Sequence, residues 1–327
     1  MCRPYEPAGL GSAVGEGICD ELWSGEHRHA WRGAGMTRGD ETVALPPAVK
    51  RAGRSALLAA RRSFQARMLP GFLIIGVERC GTTSMHRVLS QHPSVFDPLM
   101  HKKELHYFDK AYHRGLAWYQ RHFPVSAWAR LAAGPGGAAP LAFESTPYYM
   151  FHPLAPERIS KDLPGVKLLV LLRDPVERAY SAHTHQVGLG YETEPFERAL
   201  ELEGERLEGE VERIVADPEY SSRSHQHYAY RTRGQYAEQL ERLERWFSRE
   251  QIHVVDSDEY FADPEPAYDG VLRFLGLPNH GDPVFDRYNA RPRSPMSQAV
   301  RAALQEHYRP HDARLAAWLG HEPSWHR

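Results

Sequence analysis

Between Phe72 and His92 the chain reads FLIIGVERCGTTSMHRVLSQH. An apolar, β-branched run, Phe72 to Ile75, breaks at Gly76 and Gly81, and helical spacing takes over from Thr82. The order strand, tight turn, helix admits few folds. The two glycines stand at the spacing of a nucleotide P-loop, whose backbone N–H groups and following helix N-terminus point at an anion. The lysine that follows the second glycine in such loops is absent. Thr82 and Thr83 take the next positions, and the nearby cation is Arg79, inside the loop. The stretch predicts an anion site built of amides, hydroxyls and a guanidinium, without the usual γ-phosphate lysine.

At 327 residues, 42% hydrophobic and 25% charged, the chain holds material for one large core, a domain of about 250 residues plus an extension. A formal charge of -2 excludes a global pull toward nucleic acid, so no nucleic-acid partner is expected and any basic site is local. Cys2, Cys19 and Cys80 are too scattered for a disulfide framework and fit a reducing compartment. No apolar run reaches the roughly 18 residues of a membrane span, and residues 1–20 lack the apolar core of a signal peptide. A soluble, cytoplasmic protein is the expectation.

Residues 1–46, rich in Gly and isolated charges, show no sustained period and read as a disordered extension in which Met36 is an alternative start. Residues 47–69 read as a basic amphipathic helix carrying Lys50, Arg51, Arg54, Arg61, Arg62 and Arg67. Packing on the core through Leu57, Leu58 and Phe64 is favoured over a weak membrane-surface contact. The folded domain is expected over 70–327. In HKKELHYFDKAYHRGLAWYQRHFP, from His101, Glu104 stands among Lys102, Lys103 and His106 and is a candidate general base. Tyr107, Phe108, Tyr112, Trp118, Tyr119 and Phe123 around it read either as core or as the lining of a sugar-, lipid- or polyphenol-binding cleft. LAFESTPYY, from Leu141, begins as a buried strand and sets Ser145 and Thr146 at its end, where open α/β sheets place ligands.

Lys167 to Leu172, KLLVLL, is a fully apolar strand running into RDPVERAYSAH, with Asp174 as helix N-cap and Pro175 at the first position. Arg173 and Ser181 are spaced to hold one phosphate between them; the competing reading pairs Arg173 with Asp174 or Glu177. Glu192 to Arg213, dense in Glu, reads as a solvated face or a lid. Tyr236, Leu240, Leu243 and Phe247 mark a core-facing helical stripe, IHVVD from Ile252 is a further strand, and Gly276 and Pro278 close the next helix. The tail places Arg291 and Arg293 in a loop before a final helix pair. Strands separated by helices imply an α/β fold, a P-loop-like core with a mostly parallel central sheet flanked by helices on both faces. Asp256 at a strand end reads as a helix cap rather than a metal ligand. The pairs His183/His185 and His225/His227 lack partners at zinc spacing, so no metal is expected.

Taken in order, IIGVERCGTTS, KELHYFD with the downstream GLAWY and FP, LLVLLRDPVERAYS, and RGQYAEQL before IHVVD carry a resemblance. The chain resembles the sulfotransferases that use 3′-phosphoadenosine-5′-phosphosulfate (PAPS), especially the branch of heparan sulfate sulfotransferases and bacterial homologues, from about Phe72 to Gly320. The resemblance implies in-line transfer of a sulfuryl group from PAPS to a hydroxyl or amine of a carbohydrate, glycolipid or small metabolite, with no metal. It implies that Arg79, with Cys80, Gly81, Thr82, Thr83 and Ser84, binds the 5′-phosphosulfate, and that Arg173 and Ser181 hold the 3′-phosphate. Glu104 matches the base, with His106 the next candidate, and Arg291, with Arg293 beside it, matches a C-terminal cofactor loop. Three positions depart from the branch. Arg79 stands where lysine is common there, Ser145 replaces a lysine that serves catalysis, and Asn289-Ala290-Arg291 replaces Lys-Gly-Arg. The rivals are a P-loop kinase or NTPase, against which the missing lysine counts, and a PAPS-binding protein that lost transfer with that second lysine.

Overall fold

The computed structural model describes residues 66–99, 103–134, 138–281, 283–286 and 295–327. Five strands, β1 (Pro70–Gly76), β2 (Val95–Phe96), β3 (Leu141–Ser145), β4 (Lys167–Leu172) and β5 (Ile252–Asp256), form one sheet in the order β2-β3-β1-β4-β5. Every pairing in it is parallel. A parallel sheet is covered on both faces, which is why its strands read as unbroken apolar runs. Phe72 to Ile75 and Leu168 to Leu171 are fully buried, and the Phe72 and Phe143 rings stack with centroids 4.8 Å apart.

The helices around the sheet are α1 (Thr82–Leu89), α2 (Leu116–Gln120), α3 (Ser126–Ala132), α4 (Ala155–Asp162), α5 (Pro175–Gly188) and α6 (Phe196–Leu207). They continue with α7 (Glu210–Ala216), α8 (Arg223–His227), α9 (Tyr236–Leu243), α10 (Ser257–Ala262), α11 (Pro264–Leu275) and α12 (Gln298–Leu319). The end signals act as read: Asp174 caps α5 by accepting from the Val176 amide at 2.8 Å, and Gly276 ends α11 in the left-handed region. The stripe Tyr236, Leu240, Leu243 and Phe247 is buried. Along the chain, β2 and β3 lie on one side of β1, and β4 and β5 on the other. A crevice therefore opens at the carboxyl end of β1, between the loops that follow β3 and β4.

The structure departs from the sequence reading in four places. Strand β2 is two residues long, too short to leave a periodic signal. The 1–46 extension and most of the 47–69 helix lie outside the described residues. Where that helix is described, at Ala66 to Leu69, it is not helical: Arg67 bridges to Val125 and its guanidinium donates to the Phe123 carbonyl at 2.7 Å. The final helix pair is one helix, α12, which runs through Pro310. A proline inside a helix costs about 3 kcal/mol; Leu304 and Tyr308 before it and Leu315 after it are all buried and hold the two halves in line.

The fourth departure is the Glu-dense stretch, which is neither uniformly solvated nor lid-like. Glu192, Glu203 and Glu210 are buried acceptors. Glu192 takes Arg206 at 2.6 Å and the Tyr230 hydroxyl at 2.9 Å. Glu203 accepts the Arg231 and Thr232 amides at 2.8 and 2.9 Å, and Glu210 takes the Tyr220 hydroxyl at 2.8 Å. Replacing Glu203 by Ala strands two amides and the Thr232 hydroxyl, and is expected to cost about 3 kcal/mol in denaturant unfolding. Glu201→Ala, which removes an exposed pair with Arg198, is expected to cost under about 1 kcal/mol. Equal costs would return the stretch to a solvated face.

Candidate active site

The loop after β1 is tied down on both flanks. The Val77 amide donates to the Leu171 carbonyl at 2.9 Å, the Cys80 amide turns back to the Val77 carbonyl at 3.1 Å, and the Ser257 hydroxyl donates to the Cys80 carbonyl at 2.6 Å. Gly81 enters α1 at φ 80, where a Cβ would lie 2.8 Å from the Phe261 ring, so glycine is required on two counts. The first turn of α1 follows, with Thr82 and Ser84 buried; a helix start of this kind presents its leading amides to an anion. Arg79 Nε donates to Ser181 Oγ of α5 at 3.1 Å, joining the loop to the helix after β4. Cys80 faces inward, its sulfur 3.9 Å from the Tyr236 hydroxyl, and burial pushes its thiol up to about 12. What Cys80 offers an anion is backbone, not thiolate.

Opposite the loop stands the segment carrying Glu104. Among the described residues the non-glycine positions with left-handed backbone are Arg79 (φ 70), Glu104 (φ 65) and His106 (φ 54), all in this site. Such conformations cost about 1–3 kcal/mol each and persist only where the surroundings enforce them. The Glu104 amide donates to the Ser145 carbonyl at 3.1 Å, and the Tyr107 amide donates to the Tyr149 hydroxyl at 2.9 Å. That hydroxyl donates in turn to Glu144 Oε1 at 2.6 Å. Glu144, fully buried at the end of β3, also receives Thr146 Oγ1 at 2.6 Å and the Tyr119 hydroxyl at 2.5 Å. Burial raises its pKa, against the pull of these hydroxyl donors.

Among the described residues the Glu104 carboxylate meets two cations. Lys103 Nζ lies 3.2 Å from Glu104 Oε1 and donates to Thr83 Oγ1 at 3.0 Å. His106 Nε2 lies 3.7 Å from Glu104 Oε2, while its Nδ1 sits 2.6 Å from Asp109 Oδ2. Burial raises the Glu104 pKa, but the His106 contact and the Lys103 charge together outweigh it and bring the group to about 2. For His106 burial lowers the pKa and the two carboxylates more than reverse it, to about 9. The directions of the two shifts favour a carboxylate set against an imidazolium at neutral pH.

Arg173, at the end of β4, places Nε 3.6 Å from Asp258 Oδ1, neither of the partners considered from sequence; Glu177 pairs with Arg301 at 2.5 Å. Ser181 bonds to Arg79 rather than to Arg173. Arg291 and Arg293 lie outside the described residues. One cleft brings Glu78, Arg79, Thr82, Thr83, Lys103, Glu104 and His106 to face Tyr148, Gln186, Gln226 and His227. Arg233, fully buried, closes its floor: it pairs with Glu78 and donates to the Gln226 carbonyl at 2.6 Å. Sequence reasoning named Lys103 beside Glu104 without giving it a role, and missed Asp109 and the Glu78–Arg233 pair. Asp109 had a signal, three residues beyond His106; the pair, 155 residues apart, had none. Asp256 caps α10 through the Asp258 and Glu259 amides at 3.0 and 3.2 Å. His183 Nε2 is spent on the Glu194 carbonyl at 2.8 Å, and His225 Nδ1 on the Tyr148 hydroxyl at 2.7 Å.

Because His106 is raised on folding from 6.5 to about 9, its contribution to stability is full below pH 6.5 and lost as pH rises through 9. Asp109→Asn is expected to lower the His106 midpoint, followed by imidazole NMR, by at least one unit and to flatten this loss of stability. An unchanged midpoint would show that Asp109 does not hold the proton there.

The family model of the sulfotransferase domain matches residues 69–306. Heparan sulfate glucosamine 3-O-sulfotransferase 5 of Homo sapiens is 31% identical over 245 residues, 73% of this chain and 61% of that protein. Bifunctional heparan sulfate N-deacetylase/N-sulfotransferase 4 of Mus musculus is 27% identical over 290 residues, 79% of this chain and 31% of its own length. The chain thus spans less than two thirds of each of these relatives. The crystal structure of a sulfotransferase from Alicyclobacillus acidocaldarius matches with a TM-score of 0.60 at 31% identity, covering 80% of this chain and 100% of that one. The match over 69–306 takes in the loop after β1, the Glu104 segment and the start of α5 together, and on it the chain belongs to the sulfotransferase family.

Proposed function

We propose that this chain is an enzyme that transfers a sulfuryl group from PAPS to a hydroxyl or amine of a carbohydrate, glycolipid or small-metabolite acceptor. One observation carries the reading: the anion cradle after β1 and the Glu104 carboxylate open into the same cleft, bridged by a single ammonium, Lys103. The 5′-phosphosulfate would lie on the Arg79 to Ser84 turn, where fixed positive charge stabilises the leaving phosphate oxygen. Arg173 and Ser181 would take the 3′-phosphate. As the acceptor oxygen bonds to sulfur, the bond from sulfur to the 5′-phosphate breaks, adenosine 3′,5′-bisphosphate leaves, and Glu104 takes the acceptor's proton. His106, charged and held by Asp109, would keep that carboxylate aimed. A carbohydrate acceptor is supported by the names of the heparan sulfate relatives and by the far wall, where Gln186, Gln226, His227 and Tyr148 offer hydrogen bonds beside an aromatic face.

Calorimetry with adenosine 3′,5′-bisphosphate, AMP, and ATP with Mg²⁺ tests the donor class. Bisphosphate is expected to bind at micromolar level, about -8 kcal/mol, and Arg173→Ala to weaken it at least tenfold. Preference for ATP with Mg²⁺ would favour the kinase or NTPase rival. Glu104→Gln is expected to cut transfer by roughly 10² or more while bisphosphate still binds. Full transfer by that variant would remove Glu104 as the base, and bisphosphate binding by a wild type with no transfer to any acceptor class would favour the donor-binding rival.

A further inference from the structure

Lys103 is shared between two groups that belong to different halves of the reaction. Its ammonium donates to Thr83 Oγ1, in the first turn of α1, at 3.0 Å and lies 3.2 Å from Glu104 Oε1. The first contact belongs to the anion cradle and the second to the base. An ammonium has three donors on a flexible four-carbon stem, and this one is only 21% exposed on its side chain. A phosphosulfate seated on the first turn of α1 would compete with Glu104 for the same ammonium, and it brings more charge than a carboxylate.

We propose that Lys103 couples donor binding to the basicity of Glu104, its ammonium leaving the carboxylate for the donor's anion when the donor seats. The inference rests on the reading of this cleft as a sulfuryl-transfer site. A carboxylate held by two cations is a weak base, and one that loses a cation is stronger. Proton acceptance thus becomes conditional on the donor being present, while His106, fixed by Asp109 at 2.6 Å, keeps its place. The other charged and titratable groups around the carboxylate do not compete for the role. Arg79 is engaged with Ser181, Glu78 with Arg233, and His227 is pushed down to about 4 by burial. His185 of α5 lines the same cleft, and Glu144 is sealed below it by Tyr149. The Glu104 amide bonded to the Ser145 carbonyl at 3.1 Å ties the Lys103–Glu104 segment to the end of β3.

A double-mutant cycle on adenosine 3′,5′-bisphosphate affinity, by calorimetry at neutral pH, reads the coupling. The four proteins are wild type, Lys103→Met, Glu104→Gln and the double variant. Two fixed charges would act on the ligand additively and the cycle would close. A shared ammonium makes Glu104→Gln tighten binding at least tenfold more when Lys103 is present than when it is Met, and Lys103→Arg restores most of that difference. Closure within twofold overturns the proposal. Both side chains are partly exposed, so the variants are expected to melt within a few degrees of wild type. If wild type binds no bisphosphate, the donor reading fails on its own. The same cycle run with inorganic pyrophosphate then still decides whether an anion on the α1 turn draws Lys103, by the same tenfold and twofold limits.

Discussion

A carboxyl group sealed in the protein interior is where this site begins. Glu144 is fully buried at the end of β3 with no cation bonded to it among the described residues, an arrangement that is costly unless its oxygens find donors. Three hydroxyls donate, from Tyr119 of α2, Thr146 and Tyr149. Tyr149 then has its oxygen fixed, and that oxygen takes the amide of Tyr107. The left-handed backbone at Glu104 and His106 is thereby held from below. The aromatic cluster around Tyr107, Phe108 and Tyr119, with Tyr107 stacked on Tyr119 at 4.5 Å, is the wall that keeps this network dry. Its aromatic residues matter to the chemistry through that support rather than by lining the cleft.

The other wall is held by buried guanidinium groups. Arg233 joins three segments: the loop after β1 through Glu78, α8 through the His225 and Gln226 carbonyls, and the segment after β3 through the Phe151 ring 4.9 Å away. Arg178, fully buried, anchors on the Tyr230 carbonyl. Its charge and that of Arg173 both act to lower the Cys80 thiol, although burial wins. Both guanidinium groups therefore stand near enough to act on the loop from behind, with Asp258 opposing them. A P-loop without its lysine keeps an electropositive cradle because the positive charge comes from α5, from the end of β4 and from Arg79 itself.

How much of this could be read from the sequence follows from the range of each interaction. Strands β4 and β5 appeared with their observed limits because burial on both faces makes an uninterrupted apolar run between breakers, a local property. The cap at Asp174 and the stop at Gly276 are local as well. Pro310 misled because its local cost is offset by packing along α12, and the Glu-rich stretch misled because Glu192 and Glu203 look like their exposed neighbours until Tyr230, Arg231 and Thr232 fold back onto them. In the site, Arg79, Glu104, His106 and Ser181 were visible as motif residues. That Ser181 serves Arg79, that Arg173 turns to Asp258, and that Lys103 spans two loops are facts of three-dimensional meeting, and no spacing carries them.

The balance of charge in the cleft bears on the departures at Arg79 and Ser145. Arg79 and Lys103 supply two cations facing one partly exposed carboxylate, Glu104, since Glu78 pairs with Arg233 and Asp109 with His106. An anionic donor meets a net positive surface even with Ser145 in place of a lysine. That surface depends on pH: against the pull of burial, its two carboxylate neighbours raise the His106 imidazole to about 9, and as it loses its proton the cleft loses a charge beside Glu104, which stays a carboxylate. Asp109 is then left as a buried carboxylate without its cation. The same proton gives His106 its charge toward both Glu104 and Asp109, so alkaline conditions weaken the two contacts together.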